Sequence, residues 1–143
     1  MGASSSLGAR QAAMAAVGLG LIEQTIGYAE FTDNTDTTGY KDLAEQLPPG
    51  ALPIGWRCRV ITGFSGDTTA VVQVGVSGDL DQYSADVTQS VLTSGTLVGA
   101  LAIAADSGDD MNTGVTIRVT VTGGADFTSI NAGSMTVSVW YFI

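Results

Sequence analysis

The sequence predicts an all-β protein, an antiparallel β-sandwich with jelly-roll-like architecture, preceded by an extended N-terminal arm. Residues 113–122 and 135–143 alternate apolar and polar side chains with period two, as expected for strands that bury one face. Thr, Ser and Val are abundant and 19 of the 143 residues are glycines, which is typical of β-branched strands joined by short turns. Strand order depends on long-range pairing, so the detailed topology stays open.

Composition excludes several function classes. The net charge is −9 with only five basic residues, which disfavours a nucleic-acid partner. The chain has no histidine, the commonest general base and zinc ligand. We therefore expect no catalytic residues, no cofactor and no metal site. The single cysteine, Cys58, allows no internal disulfide, and its alternation with Arg57 and Arg59 predicts that it points into the core.

The chain divides into an arm, residues 1–20, and a sandwich domain, residues 21–143. The arm is rich in Ala, Gly and Ser, and three interpretations compete. Arg10 before an apolar run resembles a secretory signal, and Met-Gly-x-x-x-Ser fits a myristoylation motif. The favoured interpretation is an apolar arm that packs on a neighbouring subunit. The run is too short and too interrupted by glycine to cross a membrane, so no membrane partner is expected.

The first strand is expected at residues 21–31, and its imperfect alternation suits an edge strand. Residues 32–39 carry Asp, Asn and Thr in a turn pattern. Read as an EF-hand loop starting at Asp33, this stretch has Thr35, Thr37 and Ala44 where acidic ligands are needed, so a plain turn is favoured. A short strand at residues 40–43 then leads to Pro48 and Pro49, which form a rigid connection.

A strand at residues 54–64 places Arg57 and Arg59 on one face and Trp56 and Cys58 on the other. The two arginines either pair with acidic residues of neighbouring strands or meet an acidic partner surface. A strand at residues 68–77 and one or two short strands between residues 87 and 101 follow. Residues 104–110 are an acidic turn, with a calcium clamp built with Asp79 or Asp81 as the alternative.

The last two strands are separated by residues 123–133, which are too many for a tight hairpin. Phe127 and Ile130 are spaced to tuck a short helical turn across the end of the sandwich, so this segment is expected to cross between sheets. The chain then finishes on four large apolar residues that need packing on both faces or a subunit interface. The interface candidates are Leu19, Leu21, Ile22, Arg57, Arg59, Trp140 and Phe142.

A family resemblance rests on four strand-and-turn segments, residues 29–33, 52–56, 66–78 and 121–127. Through these segments, the part of the chain from residue 26 to residue 143 resembles small virion proteins of tailed bacteriophages. The resemblance implies a non-enzymatic capsid decoration (cement) protein on the capsid surface of the virion. It also implies the major capsid protein as partner and a homotrimer as the assembly.

Two other functions find some support in the sequence. A tail or head-fibre component, or a receptor- or carbohydrate-binding module, would use Trp56 and Trp140 as stacking platforms, although both are expected mainly to fill the core. An enzyme built on Asp109 and Asp110 is disfavoured, because adjacent carboxylates on a turn lack the separation that glycoside hydrolysis needs.

Overall fold

A computed structural model describes residues 18–84, 89–100 and 114–142. Within these ranges the chain forms strands and two 3-10 turns, the latter at Tyr28–Glu30 and Phe127–Ser129. The strands are β1 (Leu19–Gly27), β2 (Thr32–Asp33), β3 (Thr38–Leu47), β4 (Leu52–Ser65), β5 (Ala70–Gly75), β6 (Gln89–Ser90), β7 (Leu97–Ala100), β8 (Val115–Gly123) and β9 (Ala132–Phe142).

The strands form two antiparallel sheets, one ordered β1-β9-β4-β7 and the other β2-β3-β8-β5-β6. Apart from the short β2, these orders are those of an eight-stranded jelly roll, in which two interlocked Greek keys build two facing four-stranded sheets. The predicted fold class, an antiparallel β-sandwich of jelly-roll type, is confirmed.

The two C-terminal strands hold the centres of the two sheets. β9 lies between β1 and β4, and β8 lies between β3 and β5. Their inward side chains are fully buried, namely Ile117, Val119, Val121, Met135, Val137 and Val139. The period-two alternation predicted for both strands is confirmed, and one apolar core fills the space between the sheets.

The link between β8 and β9 crosses from one sheet to the other, as the sequence predicted. Asp126 caps its 3-10 turn by accepting a hydrogen bond from the Thr128 N–H. Phe127 and Ile130 are 5% and 4% exposed, and the Phe127 ring lies 5.9 Å from the Phe31 ring. The turn therefore closes one end of the sandwich with apolar side chains.

Several strand boundaries differ from the sequence prediction. β1 begins at Leu19 rather than 21 and ends at Gly27, so Leu19 and Gly20 belong to the sandwich. β3 spans Thr38–Leu47 and is longer than the expected residues 40–43. The alternation did not indicate its full length, because a bulge between Asp42 and Gln46 interrupts it. The one or two short strands expected between residues 87 and 101 are confirmed as β6, Gln89–Ser90, and β7, Leu97–Ala100.

Three predictions lie outside the described residues: the conformation of residues 1–17, the acidic turn at 104–110, and the packing of Ile143. In the ranges that are described, no helix is long and apolar enough to cross a membrane.

Candidate interaction surface

The outer surface of the four-stranded sheet is organised in rows that cross β1, β9 and β4. Glu23, Ser138 and Arg57 form one row, and Thr25, Thr136 and Arg59 form the next. Towards the C-terminal end of β9, the rows are Leu21, Trp140 and Gly55, then Leu19, Phe142 and Leu52. We call this surface, together with Leu97 of β7 and Ile61 at the far end of β4, the arginine face.

Arg57 and Arg59 are exposed neighbours on β4. The guanidinium carbon of Arg57 lies 5.2 Å from the centroid of the Trp140 ring, in a cation–π contact. Among the described residues neither arginine forms a salt bridge, although Glu23 lies in the same row as Arg57. The expected pairing with acidic residues of neighbouring strands is therefore not found in this part of the chain.

The carboxylate of Glu23 interacts with a hydroxyl group. Its Oε2 accepts a hydrogen bond of 2.6 Å from Ser138 Oγ, and the Thr25 and Thr136 hydroxyls are 2.9 Å apart in the next row. A recess of about 110 Å³ lies between Glu23, Ser138, Thr136 and the two arginines. The arginines thus border a polar surface rich in hydroxyl groups.

Large apolar side chains surround this polar centre. Leu52, Ile61, Leu97 and Phe142 are 47%, 49%, 54% and 45% exposed, and all four lie in strands of the four-stranded sheet. A groove of about 360 Å³ runs beside β7, lined by Arg57, Leu97, Val98, Gly99, Ala100 and Trp140. Exposed apolar groups beside arginine and tryptophan are characteristic of protein interfaces.

The outer surface of the five-stranded sheet is different, because its arginine pairs with an aspartate of the neighbouring strand. Arg118 binds Asp42 through two hydrogen bonds, Nε to Oδ1 at 2.8 Å and an Nη atom to Oδ2 at 3.2 Å. Its guanidinium carbon also lies 3.8 Å from the centroid of the Tyr40 ring. The hydrogen bonds with Asp42 raise the pKa of Arg118, so its charge is already compensated within the subunit.

Six of the seven interface candidates belong to the rows of the arginine face, and five of them are at least partly exposed: Leu19, Arg57, Arg59, Trp140 and Phe142. The other two need correction, because Leu21 and Ile22 are only 2% and 1% exposed. Ile22 belongs to the core cluster, and Leu21 is buried next to Trp140 in its row. Neither side chain offers a surface to a partner.

The predicted inward orientation of Cys58 is confirmed, since its side chain is fully buried. Burial raises the pKa of the Cys58 thiol to about 12, and a neutral thiol is a poor nucleophile. Trp56 is also buried, at 2% exposure, and its indole N–H finds no hydrogen-bond acceptor among the described residues.

Four aspartates lie in the turns at one end of the sandwich. We call Asp33, Asp36, Asp67 and Asp126 the acidic end. Backbone hydrogen bonds hold its turns together, from Phe127 N to Asp36 O at 2.8 Å and from Gly123 N to Thr37 O at 2.9 Å. Asp67 joins them because its Oδ2 accepts a hydrogen bond of 2.8 Å from the N–H of Ala125.

Three carboxylates of the acidic end, those of Asp36, Asp67 and Asp126, are stabilised in their charged form. Hydrogen bonds from the hydroxyl and N–H of Thr38 lower the pKa of Asp36, and those from the N–H and hydroxyl of Thr128 lower that of Asp126. The pKa of Asp67 is lowered mainly by the N–H of Ala125. These aspartates cap their own turns, and the described residues contain no cluster of three or more potential metal ligands.

The fold and surface define a jelly-roll subunit with an Arg118–Asp42 ion pair on one sheet. The other sheet exposes apolar groups and two arginines that form no salt bridge with the described residues. No protein-family model matches the sequence, and no curated protein matches it.

Two chains from solved phage capsids share its fold. A chain of the cyanophage Pam1 capsid asymmetric unit is 19% identical with a TM-score of 0.52, covering 87% of this chain and 84% of that chain. A chain of the Ralstonia phage GP4 capsid is 18% identical with a TM-score of 0.50, covering 87% and 83%. At this identity the likeness is one of fold, and at that level it confirms the resemblance to phage virion proteins.

Proposed function

We propose that this chain is a non-enzymatic structural protein of a phage virion. In this proposal it is a capsid decoration (cement) protein that binds the outer surface of the head shell as a trimer and contacts the major capsid protein. The observation that carries the proposal is the jelly-roll fold shared with chains of two phage capsids. The arginine face supports it, because exposed apolar side chains and two cations without a salt bridge in the described ranges suit a partner surface.

The mechanism is stabilisation by added contacts. A protein that binds the assembled shell, but not its dissociated subunits, stabilises the assembly by an amount that grows with the ratio of free protein concentration to the dissociation constant. Interfaces of about 800 Å² per partner are large enough for stable and specific contacts. The role needs no cofactor, and the net charge of −9 argues for a protein partner rather than nucleic acid.

The N-terminal segment is assigned to the shell contact as an apolar arm. Because β1 begins at Leu19, a clean test removes residues 1–17 and keeps the strand. The full chain and the 18–143 variant are mixed with empty shells, and co-sedimentation is measured. We expect the full chain to pellet with the shells and the truncated chain to remain in solution with unchanged circular dichroism.

Equal pelleting of both proteins would show that the arm does not contribute to shell binding. Failure of the full chain to pellet would contradict the decoration function itself.

A second candidate is a receptor- or carbohydrate-binding module, as on a tail or head fibre. The groove beside β7 supports it, because Trp140 and Arg57 border a cavity of about 360 Å³ and aromatic rings can stack on sugars. However, Arg57 lies over the Trp140 ring, and the buried Trp56 offers no platform. Saturable binding on a glycan array, lost in Trp140→Ala, would favour this candidate over decoration.

A further inference from the structure

Two surfaces of the same chain carry opposite charges. The arginine face presents the guanidinium groups of Arg57 and Arg59, and the acidic end presents four aspartate side chains. Two of the four described basic residues, Arg57 and Arg59, stand side by side without a salt bridge to a carboxylate of the described chain. A complementary partner must supply carboxylates close together.

The acidic end meets that requirement. Asp36 and Asp126 are close enough for the charge of Asp126 to repel that of Asp36, and the N–H of Phe127 binds the backbone oxygen of Asp36. The hydrogen bonds to both carboxylates fall on Oδ1, so each retains an oxygen that accepts further bonds.

The spacing of the cations matches a pair of carboxylates. Residues two apart on a strand lie about 7 Å apart on the same face, so Arg57 and Arg59 present two neighbouring cations. Arginine forms two-pronged hydrogen bonds with carboxylates. A contact between the arginine face and a surface with two neighbouring carboxylates therefore compensates the charges of both surfaces.

We propose that the acidic end of one copy docks on the arginine face of the next copy. The contact joins two different surfaces of the subunit, so it is heterologous, and repeating it around a rotation axis closes a ring. Trp140 and the exposed Leu97 next to the arginines supply the apolar contact area that the charged groups alone lack. This inference concerns the contact between copies and goes beyond the shell contact of the proposed function.

The test measures the oligomeric state of the full chain by light scattering across a range of concentrations. We expect concentration-dependent association for the wild type. The R57E/R59E variant should weaken association at least tenfold. The D36N/D126N variant should do the same while keeping the Oδ1 atoms that cap both turns.

Mixing the two variants gives the sharpest outcome. The R57E/R59E copy retains its acidic end, and the D36N/D126N copy retains its arginine face, so the mixture should form pairs that neither variant forms alone. Net charge does not explain that result. The first variant gains four negative charges and the second loses two, so a mixed pair is more negative than a wild-type pair.

The control is Lys41→Glu, a charge reversal at a β3 residue that belongs to neither surface, which should leave association unchanged. Circular dichroism and the melting temperature establish that each variant is folded. A wild type that is monomeric at all concentrations, a folded variant that associates normally, or a mixture that fails to pair would overturn the inference.

The experiments distinguish the contact between copies from the decoration function. A monomer that still pellets with shells contradicts only the contact between copies. An assembly that ignores shells contradicts only the decoration function.

Discussion

The side-chain amide of Gln89 binds both backbone groups of Gly99. Its Oε1 accepts a hydrogen bond of 3.2 Å from the Gly99 N–H, and its Nε2 donates one of 3.4 Å to the Gly99 carbonyl. Gln89 belongs to β6 of one sheet and Gly99 to β7, the edge strand of the other. An edge strand otherwise offers these groups to another chain, so Gln89 closes one open side of the sandwich.

A second glutamine closes the opposite side. Oε1 of Gln24, on the edge strand β1, accepts a hydrogen bond of 2.9 Å from the N–H of Ala44. Ala44 lies within the bulge of β3, where pairing with β8 is interrupted. A side chain of one sheet thus satisfies a backbone group of the other sheet at both open sides.

Replacing Gln89 with alanine should leave the backbone N–H and carbonyl of Gly99 on the β7 edge without their side-chain partner. We expect a loss of about 1 kcal/mol in the free energy of unfolding, the usual size for a lost hydrogen-bonding side chain. Amide exchange at Gly99 should accelerate, because its N–H loses its acceptor.

The matched control is Gln73→Ala, since Gln73 makes no side-chain hydrogen bond in the described chain. Unchanged exchange at Gly99 in Gln89→Ala would show that the amide does not protect this edge.

Gly20 should not tolerate a side chain. A Cβ atom there would lie 2.1 Å from Cζ of Tyr141, whose ring is inserted between the sheets and 8% exposed. We expect Gly20→Ala to cost about 1–3 kcal/mol, the range for overpacking a core, measured by urea denaturation.

Gly27→Ala is the control on the same strand, because its nearest atom would be 3.6 Å away on the Glu30 side chain. Equal losses in the two variants would contradict the placement of Tyr141 over Gly20.

The Cys58 thiol should be unreactive in the folded protein. Its side chain is fully buried and burial raises its pKa to about 12, so neither access nor the thiolate form favours reaction. We expect no release of chromophore from a disulfide reagent at pH 8 under native conditions and one equivalent in denaturant. Rapid reaction of the native protein would place the thiol at the surface.

Acid should destabilise the protein in part through Asp67. Hydrogen bonds, first of all from the Ala125 N–H, lower the pKa of this carboxyl in the folded state. As the pH falls, the unfolded chain binds a proton first, so the contribution is complete above the unfolded pKa of about 4 and is lost as the pH falls through the folded pKa.

In Asp67→Asn, the loss of thermal stability between pH 5 and pH 2.5 should therefore be smaller than in the wild type. Glu45→Gln, which removes an exposed carboxylate outside the acidic end, is the control. Parallel acid profiles for the wild type and Asp67→Asn would contradict the role of this hydrogen bond.

The sequence revealed local patterns better than long-range pairing. The alternation in β8 and β9 identified the central strands, and the alternation around Cys58 placed that thiol in the core. The same reasoning failed for β3, where the bulge between Asp42 and Gln46 breaks the period that the prediction depends on.

The candidate site was predictable only within single strands. That Arg57 and Arg59 share a face follows from period two, and so does the pairing of Trp140 with Phe142. That these two pairs belong to one surface depends on the register of β4 against β9, a contact between distant segments. Leu21 was misjudged for the same reason, since its burial depends on its neighbours in the folded sheet.

The most direct test of the decoration function is the melting temperature of the head shell with and without the full chain. Purified shells lacking the protein are titrated with it, and calorimetry follows shell disassembly. We expect the disassembly temperature to rise with the concentration of free chain, while the bound chain levels off at a fixed ratio to the major capsid protein, because binding to a finite set of sites stabilises the assembled shell. An unchanged disassembly temperature at saturating protein would contradict it.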